Sequence, residues 1–212
     1  MPLYKTITEP SGTAVYIWKI QESYQELAAP VTLTSSNSER VAGMKSEIHR
    51  RGFLSIRHAL ALAGYSDTDL FYDPNGKPHL KDGKFISITH SFERSGIVIS
   101  NKPVGIDIEM ERNKILKIAH KFTPIQEYRT LANEEALIRK LSLVWCAKES
   151  LYKLYAQPGL SFLQHIIVDD FSLESDQTTA SIVFNGIESR YQVYFMEFDG
   201  YSFAYALPLA YE

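Results

Sequence analysis

The spacing of apolar residues divides the first part of the chain into strand-like and helix-like segments. Residues 13–20 are dense in β-branched and aromatic side chains, which predicts a mostly buried strand. Over residues 39–63, apolar side chains recur at intervals of three and four, which predicts helical structure. Gly52 interrupts that pattern and predicts a weak point or a break, and the polar residues 35–38 are expected to cap the helix.

A run of short strands follows. Residues 70–72 lead into Asp73-Pro74-Asn75-Gly76, a sequence typical of a tight turn. Three further runs have strand character, at residues 84–89, 95–100 and 103–110.

The second half begins with helices and ends with strands. Helical spacing covers residues 115–122, a further helix is expected to start at Pro124, and a long helix is predicted from about residue 134 to 156. Asn133 is a candidate N-cap of the long helix, and Pro158-Gly159 ends it. Strands are predicted over residues 166–168, 181–184, 191–198 and 201–206, with a hairpin turn at Asp199-Gly200.

This order of elements predicts an α+β protein. Two lobes of similar plan explain it, with residues 1–102 in an N-terminal lobe and residues 103–212 in a C-terminal lobe. We expect the boundary near residues 101–112.

Composition and charge exclude several classes of protein. The 212 residues are 45% hydrophobic with a net charge of −3, which argues against disorder and against general nucleic-acid binding. No apolar run approaches the roughly 18 residues of a membrane span, and the first residues lack signal-peptide character. Cys146 is the single cysteine, so no intrachain disulfide forms. We therefore expect a cytoplasmic protein that binds neither membrane nor nucleic acid.

The net charge hides an uneven distribution. Residues 39–58 hold five basic and two acidic side chains, a local charge of +3, whereas residues 166–189 hold five acids and no lysine or arginine. The basic segment predicts either a solvated helix face or a surface for an anion.

Acidic residues alternate along the predicted strand at residues 104–109. Val104, Ile106 and Ile108 would share one face, and Asp107 and Glu109 would share the other with Gly105. The two carboxylates would lie about 7 Å apart, a pattern that suits Mg²⁺ or a solvent-facing strand end. Gly105 leaves room for another backbone or a ligand.

The long helix carries a second candidate. Trp145, Glu149 and Lys153 are spaced by four residues and form one stripe. A Glu–Lys pair at this spacing is commonly a surface pair, but here apolar residues flank it.

A third candidate lies at the end of a predicted strand. His90 is flanked by hydroxyl residues in Thr89-His90-Ser91, which suits either a structural histidine or a phosphate donor. The chain has no P-loop, Gly-x-Gly-x-x-Gly, His-Glu-x-x-His or Gly-x-Ser-x-Gly motif.

Together and in order, these segments resemble the 4′-phosphopantetheinyl transferase superfamily, in its larger single-chain branch. The resemblance covers about residues 45–162 and rests on five segments. These are Asn75-Gly76-Lys77-Pro78, Ile88-Thr89-His90-Ser91, Val104-Gly105-Ile106-Asp107-Ile108-Glu109, Ile118-Ala119-His120-Lys121-Phe122 and Trp145-Cys146-Ala147-Lys148-Glu149-Ser150-Leu151-Tyr152-Lys153.

The resemblance implies an enzyme of the holo-[acyl-carrier-protein] synthase type. Such an enzyme moves 4′-phosphopantetheine from coenzyme A to a serine of an apo acyl or peptidyl carrier protein and releases 3′,5′-ADP. The implied fold is two similar α+β lobes in a pseudo-two-fold arrangement, with the active site at their junction. A monomer would then suffice. The carrier could serve fatty-acid, polyketide or nonribosomal peptide biosynthesis.

The resemblance also implies roles for particular residues. Asp107, Glu109 and Glu149 would bind Mg²⁺, Glu149 would also act as the base, and Lys153 would steady the pyrophosphate. Thr89 and His90 would hold coenzyme A phosphates. Lys77, Lys148 and Arg57 are further expected contacts of coenzyme A, with Arg51 as the alternative to Arg57 at the 3′-phosphate.

Two other functions remain open at this point. One is a binding module of the same fold that holds coenzyme A or a carrier protein without catalysis. The other is a different Mg²⁺-dependent phosphotransferase. If the chain is the transferase or the binding module, an acidic carrier domain would suit the basic side chains of Arg50 and Arg51.

Overall fold

A computed structural model describes residues 2–124 and 133–209 of the chain. It divides the chain into two compact units, residues 1–101 and 102–212. Each unit combines an antiparallel sheet with helices, so the predicted α+β class is confirmed.

The first unit is built on a sheet that has six strands within the described residues, in the order β1-β2-β6-β5-β4-β3. Its strands are β1 (Leu3–Thr8), β2 (Ala14–Lys19), β3 (Leu70–Tyr72), β4 (Pro78–Leu80), β5 (Phe85–Ser91) and β6 (Arg94–Ser100). Its helices are α1 (Tyr24–Ala28), α2 (Ser35–Gly43) and α3 (Glu47–Leu62), followed by a 3₁₀ turn at Asp67–Asp69. Helix α3 packs on the sheet through Ile56, Ala59 and Leu60.

The helical segment of the first unit differs from its prediction. Helix α3 continues through Gly52, and the break falls at residues 44–46, where Met44 is extended. The predicted break at Gly52 is therefore wrong, because tertiary packing at this buried glycine outweighs its low helix propensity. Residues 35–38 form the first turn of α2, and Thr34 is the cap, accepting a hydrogen bond from the Asn37 N–H.

The second unit is built on a sheet that has five strands in the described part of the chain, in the order β7-β11-β10-β9-β8. Its strands are β7 (Gly105–Met110), β8 (Ile166–Val168), β9 (Gln177–Phe184), β10 (Ile187–Phe198) and β11 (Tyr201–Pro208). Its helices are α4 (Lys114–Ile118), a 3₁₀ turn at Ala119–Lys121 and α5 (Glu134–Tyr155). Helix α5 packs against β7 and β11.

Local signals placed most boundaries of the second unit. Asn133 caps α5 by accepting a hydrogen bond from the Ala136 N–H at 2.8 Å, as predicted. Asp199 and Gly200 both have positive φ in the β10–β11 hairpin. The Asn185-Gly186 turn, which joins β9 to β10, has the same geometry and extends both strands beyond their predicted bounds. The helix predicted to start at Pro124 falls on residues 125–132, outside the described residues.

Within the described residues, no helix has the length and apolar character required to cross a membrane.

Candidate active site

Strand β7 has the two-faced pattern that its sequence predicts. Ile106 and Ile108 are buried on one face, and Gly105 and Asp107 face α5 on the other. A Cβ on Gly105 would lie 1.8 Å from the Ser150 carbonyl oxygen, closer than any real contact. The glycine therefore admits the backbone of α5, which brings the side chains of the helix against those of the strand.

Lys153 of α5 binds directly to this strand. Its Nζ donates to Asp107 Oδ1 at 2.7 Å and to the Ile106 carbonyl at 3.0 Å. Burial opposes the charged lysine, but the nearby Asp107 carboxylate prevails and raises the pKa of Lys153. The Asp107 side chain is 6% exposed and the Lys153 side chain 29%, so the carboxylate of this ion pair is shielded from solvent and the ammonium partly so.

Glu149 on α5 lies within electrostatic reach of the Asp107 and Glu109 carboxylates. Burial, followed by the charge of Asp107, raises the pKa of Glu149 to about 7; Glu109 adds to this and Lys153 partly offsets it. The structure thus brings together the four residues Asp107, Glu109, Glu149 and Lys153, which are up to 46 positions apart along the chain.

The three carboxylates have the donor chemistry of a hard divalent cation. Their oxygens are the ligands that Mg²⁺ prefers, and their mutual repulsion, seen in the raised pKa of Glu149, is what a bound cation would relieve. In the part of the chain that the structure describes, no three acidic, histidine or cysteine side chains are placed so that they could hold a metal ion as they stand. Asp107, Glu109 and Glu149 therefore fit the cation by the chemistry of their oxygens, and their side chains would have to converge to bind it.

A cavity of about 200 Å³ adjoins Glu109. Glu109 lies in its wall, together with apolar and basic side chains: Arg112, Lys114, Ile115, Ile118 and Trp145. A substrate group that entered this cavity would meet an acidic side chain of the candidate site beside an apolar wall.

Cys146 and Lys148 lie on α5 beside the motif acids but are buried. The Cys146 thiol donates to the Ser202 carbonyl at 3.3 Å, and burial raises its pKa, which agrees with packing rather than chemistry. The Lys148 ammonium donates to the carbonyls of Phe122, Phe162 and Ile166 at 2.6, 2.8 and 2.7 Å. The predicted contact of Lys148 with coenzyme A stays a prediction, and in the structure its ammonium lies among these backbone carbonyls.

In the first unit, His90 is exposed at the end of β5 and its ring lies against α3. A Cβ on Gly52 would lie 3.4 Å from the imidazole, so this helix position leaves the ring its space. The His49 ring lies 5.9 Å from the His90 ring, between centroids. Sequence reasoning missed His49, although His49 and Gly52 are three positions apart and therefore share a helix face.

Thr89 lies beside His90 on β5, and Lys77 lies in the turn between β3 and β4. Thr89 precedes His90 on β5 and is buried. Lys77 follows the predicted turn, and its backbone N–H donates to Asp73 Oδ1 at 3.0 Å. Burial lowers the pKa of Lys77, and the Asp73 charge partly offsets this effect.

Arg57 has a structural role within the first unit. Its side chain is 3% exposed, and its Nε donates to Asp67 Oδ1 at 2.9 Å. The guanidinium also lies 3.4 Å from the centroid of the Phe53 ring. Arg57 thus lies inside the unit and binds a carboxylate, whereas its contact with coenzyme A stays a prediction. Arg51, the alternative, is half-buried and donates to the Ile20 carbonyl at 3.1 Å.

Comparisons with known proteins point to one family. The family model described as the 4′-phosphopantetheinyl transferase superfamily matches residues 103–207. A protein of Aneurinibacillus migulanus named 4′-phosphopantetheinyl transferase gsp is 31% identical over 129 residues, which cover 59% of this chain and 52% of that protein. Enterobactin synthase component D of Salmonella typhi is 32% identical over 121 residues, 55% of this chain and 51% of that protein. The chain thus spans about half the length of the curated relatives it matches.

Proposed function

Because residues 103–207 match the family model of the 4′-phosphopantetheinyl transferase superfamily, we propose that the chain transfers 4′-phosphopantetheine from coenzyme A to a serine of an apo carrier protein. The second product is 3′,5′-ADP. The observation that carries this proposal is the cluster of Asp107, Glu109 and Glu149 beside Lys153, between β7 and α5.

The acids of this cluster are the proposed ligands of a divalent cation, Mg²⁺ by its preference for carboxylate oxygens. When bound, such a cation neutralises charge on the pyrophosphate of coenzyme A. Three carboxylates and one ammonium leave a net negative charge in a shielded place, which favours cation binding.

Glu149 is the proposed base. Burial and the neighbouring Asp107 charge raise its pKa to about 7 in the cation-free protein. With the cation bound, a Glu149 oxygen that the cation does not engage would accept the serine proton. The serine oxygen attacks the phosphorus that bears the pantetheine, and the serine proton goes to Glu149. The bond from that phosphorus to the bridging pyrophosphate oxygen breaks, and 3′,5′-ADP leaves.

Lys153 is the proposed electrostatic partner of the pyrophosphate. Its ammonium is fixed by Asp107 and the Ile106 carbonyl, so little reorganisation is needed when negative charge develops on the leaving group. In the first unit, His90, Thr89 and Lys77 are the proposed contacts of the coenzyme A phosphates. The ring of His90 is accessible and is bordered by His49, which adds a second imidazole for an anion.

The direct test is mass spectrometry of an apo carrier protein after incubation with the protein, coenzyme A and Mg²⁺. One relative is named as a component of enterobactin synthase, so a carrier domain of such a synthase belongs first in a panel that also holds fatty-acid and polyketide carriers. We expect a mass gain of one phosphopantetheine on at least one carrier.

The matched variant is Glu149→Gln, which keeps the size of the side chain and removes the base. We expect a rate at least about 100-fold lower with an unchanged melting temperature, which is the size of a typical general-base contribution. Absence of transfer to every carrier by the wild type would exclude the proposal, and coenzyme A binding without transfer would favour a non-catalytic binding module.

A further inference from the structure

Lys148 has a chemically unusual position for a lysine of α5. Its side chain is buried, and the carbonyls that accept its three hydrogen bonds belong to two different segments. Phe122 follows the 3₁₀ turn after α4, whereas Phe162 lies between α5 and β8 and Ile166 is the first residue of β8. One ammonium therefore ties two loop segments to the helix that carries Glu149.

The rings of Phe122 and Phe162, whose carbonyls Lys148 binds, both contact the Trp145 side chain. Phe122 contacts Trp145 edge-on, with centroids 5.0 Å apart, and Phe162 contacts it from a second direction at 5.4 Å. Trp145 lies three positions before Lys148 on α5 and lines the cavity that Glu109 borders. The position of the indole thus depends on both loops that Lys148 holds.

We propose that Lys148 is a positioning residue that fixes Trp145, through Phe122 and Phe162, as the apolar wall of the cavity beside Glu109. Its effect on transfer rests on the proposed function. Removal of the ammonium leaves three buried carbonyls without their donor, so the loops must rearrange to find other partners. The two phenylalanine rings then shift, and the wall of the cavity shifts with them.

Helix α5 offers a matched control in Lys140, which is equally buried. Its Nζ donates to Asp170 Oδ1 at 2.7 Å and to the Phe171 carbonyl, and it lies over the Phe171 ring. The Phe171 ring lies against the Phe195 ring, tilted by 36° with centroids 4.5 Å apart. Phe171 also packs at the edge of the cluster that holds Phe122 and Trp145. Lys140→Met therefore controls for the loss of a buried ammonium, because it leaves the hydrogen bonds to the Phe122 and Phe162 carbonyls in place.

The first readout needs no substrate. The chain has two tryptophans, so Trp18→Phe leaves Trp145 as the only indole reporter. In that background we expect Lys148→Met to red-shift the emission of Trp145 and to raise its quenching by acrylamide about threefold. Lys140→Met should lower the melting temperature by a similar amount and leave both optical properties unchanged.

The second readout is steady-state transfer with each variant. We expect Lys148→Met to lower kcat/KM about 10-fold, the lower end of the range for residues that orient a site from behind it. Lys140→Met should stay within twofold of the wild type. If Lys148→Met leaves quenching and kcat/KM within twofold, or if Lys140→Met changes both as much, the proposal is wrong.

If Lys148→Met does not fold, Phe162→Leu is a second variant on which the same two measurements test the proposal. This substitution retains the carbonyl that Lys148 binds and removes the ring that contacts Trp145, at a half-buried position. We expect the same direction of change in quenching and in kcat/KM, and unchanged values would overturn the proposal. If the wild type transfers nothing, the proposed function fails, yet the quenching of Trp145 still tests the role of Lys148.

Discussion

Gly105→Ala tests whether the close contact between β7 and α5 builds the acidic cluster. The new methyl carbon would lie 1.8 Å from the Ser150 carbonyl oxygen, 2.7 Å from the Ser150 carbonyl carbon and 3.1 Å from the Leu154 nitrogen. Ordinary contacts of this kind are near 3.5 Å, so the helix must retreat by roughly 1.5 Å at this point. All three of the obstructing atoms are backbone, which no side-chain rotation can move.

The retreat has a calculable consequence. It would stretch the bonds from Ser150 Oγ to the Ala204 carbonyl, now 3.0 Å, and from Lys153 Nζ to Asp107, now 2.7 Å. Overpacking of a core costs about 1–3 kcal/mol, and each weakened hydrogen bond adds about 1 kcal/mol. We therefore expect a loss of about 3–5 kcal/mol in the free energy of unfolding and a melting temperature lower by roughly 10 °C.

The assay is calorimetric or circular-dichroism melting combined with carrier transfer at a temperature where the variant is folded. Gly43→Ala is the matched control, because its Cβ would meet no atom within 4 Å and its φ is not in the left-handed region. We expect the control to change stability by less than about 1 kcal/mol. A Gly105→Ala variant that melts within 2 °C of the wild type and transfers at full rate would refute the reasoning.

Three further predictions concern the first unit. Arg57→Met should destabilise the protein by about 3–5 kcal/mol, because it leaves the buried Asp67 carboxylate without the guanidinium that binds it. The KM for coenzyme A of the folded variant should stay unchanged. A raised KM with unchanged stability would contradict the structural role of Arg57. Burial by itself would raise the pKa of Asp67, but hydrogen bonds from Asn37, the Thr34 N–H and Arg57 outweigh burial and lower it. The stability that the Asp67 carboxylate contributes is therefore complete above about pH 4 and is lost as the pH falls through its lowered pKa. Urea unfolding at several acidic pH values should show that the free energy of unfolding falls more steeply with decreasing pH for the wild type than for Asp67→Asn. Gly52→Leu should displace the His90 ring, because a Cβ at this position already touches the imidazole at 3.4 Å and a longer side chain needs the space that the ring fills. We expect the KM for coenzyme A to rise several-fold; an unchanged KM in the folded variant would separate His90 from coenzyme A binding.

Turns and caps could be predicted because their causes are local. Asn133 forms its cap with a residue three positions away, and Asp199-Gly200 forms a hairpin through its own backbone geometry. Asn185-Gly186 carries the same local signal and could have been found in the same way. The alternation of Ile106, Asp107 and Ile108 needs only the two-residue period of a strand.

Buried charged residues could not be assigned because their partners are distant in the chain. Lys148 and Lys153 lie five positions apart on one helix and were both expected at coenzyme A. In the structure, Lys148 donates hydrogen bonds to carbonyls 14, 18 and 26 residues away along the chain, and Lys153 donates to a carboxylate 46 residues away. Gly52 is a second case in which local sequence is insufficient. Its low helix propensity predicts a break in the helix, but its packing against the His90 ring is a tertiary contact, and the helix continues through it.

The α+β class and most turns and caps follow from residue type and short spacing, which act within a few positions of the chain. The grouping of Asp107 and Glu109 with Glu149 rests instead on the resemblance to a family, whose two main motifs lie about 40 residues apart in this chain. Only the tertiary structure decided that Arg57 and Lys148 are internal, that Gly105 admits the Ser150 carbonyl, and that Glu149 has a pKa of about 7. The reason is physical: burial and charge depend on which segments pack together, and neither is a property of the local sequence.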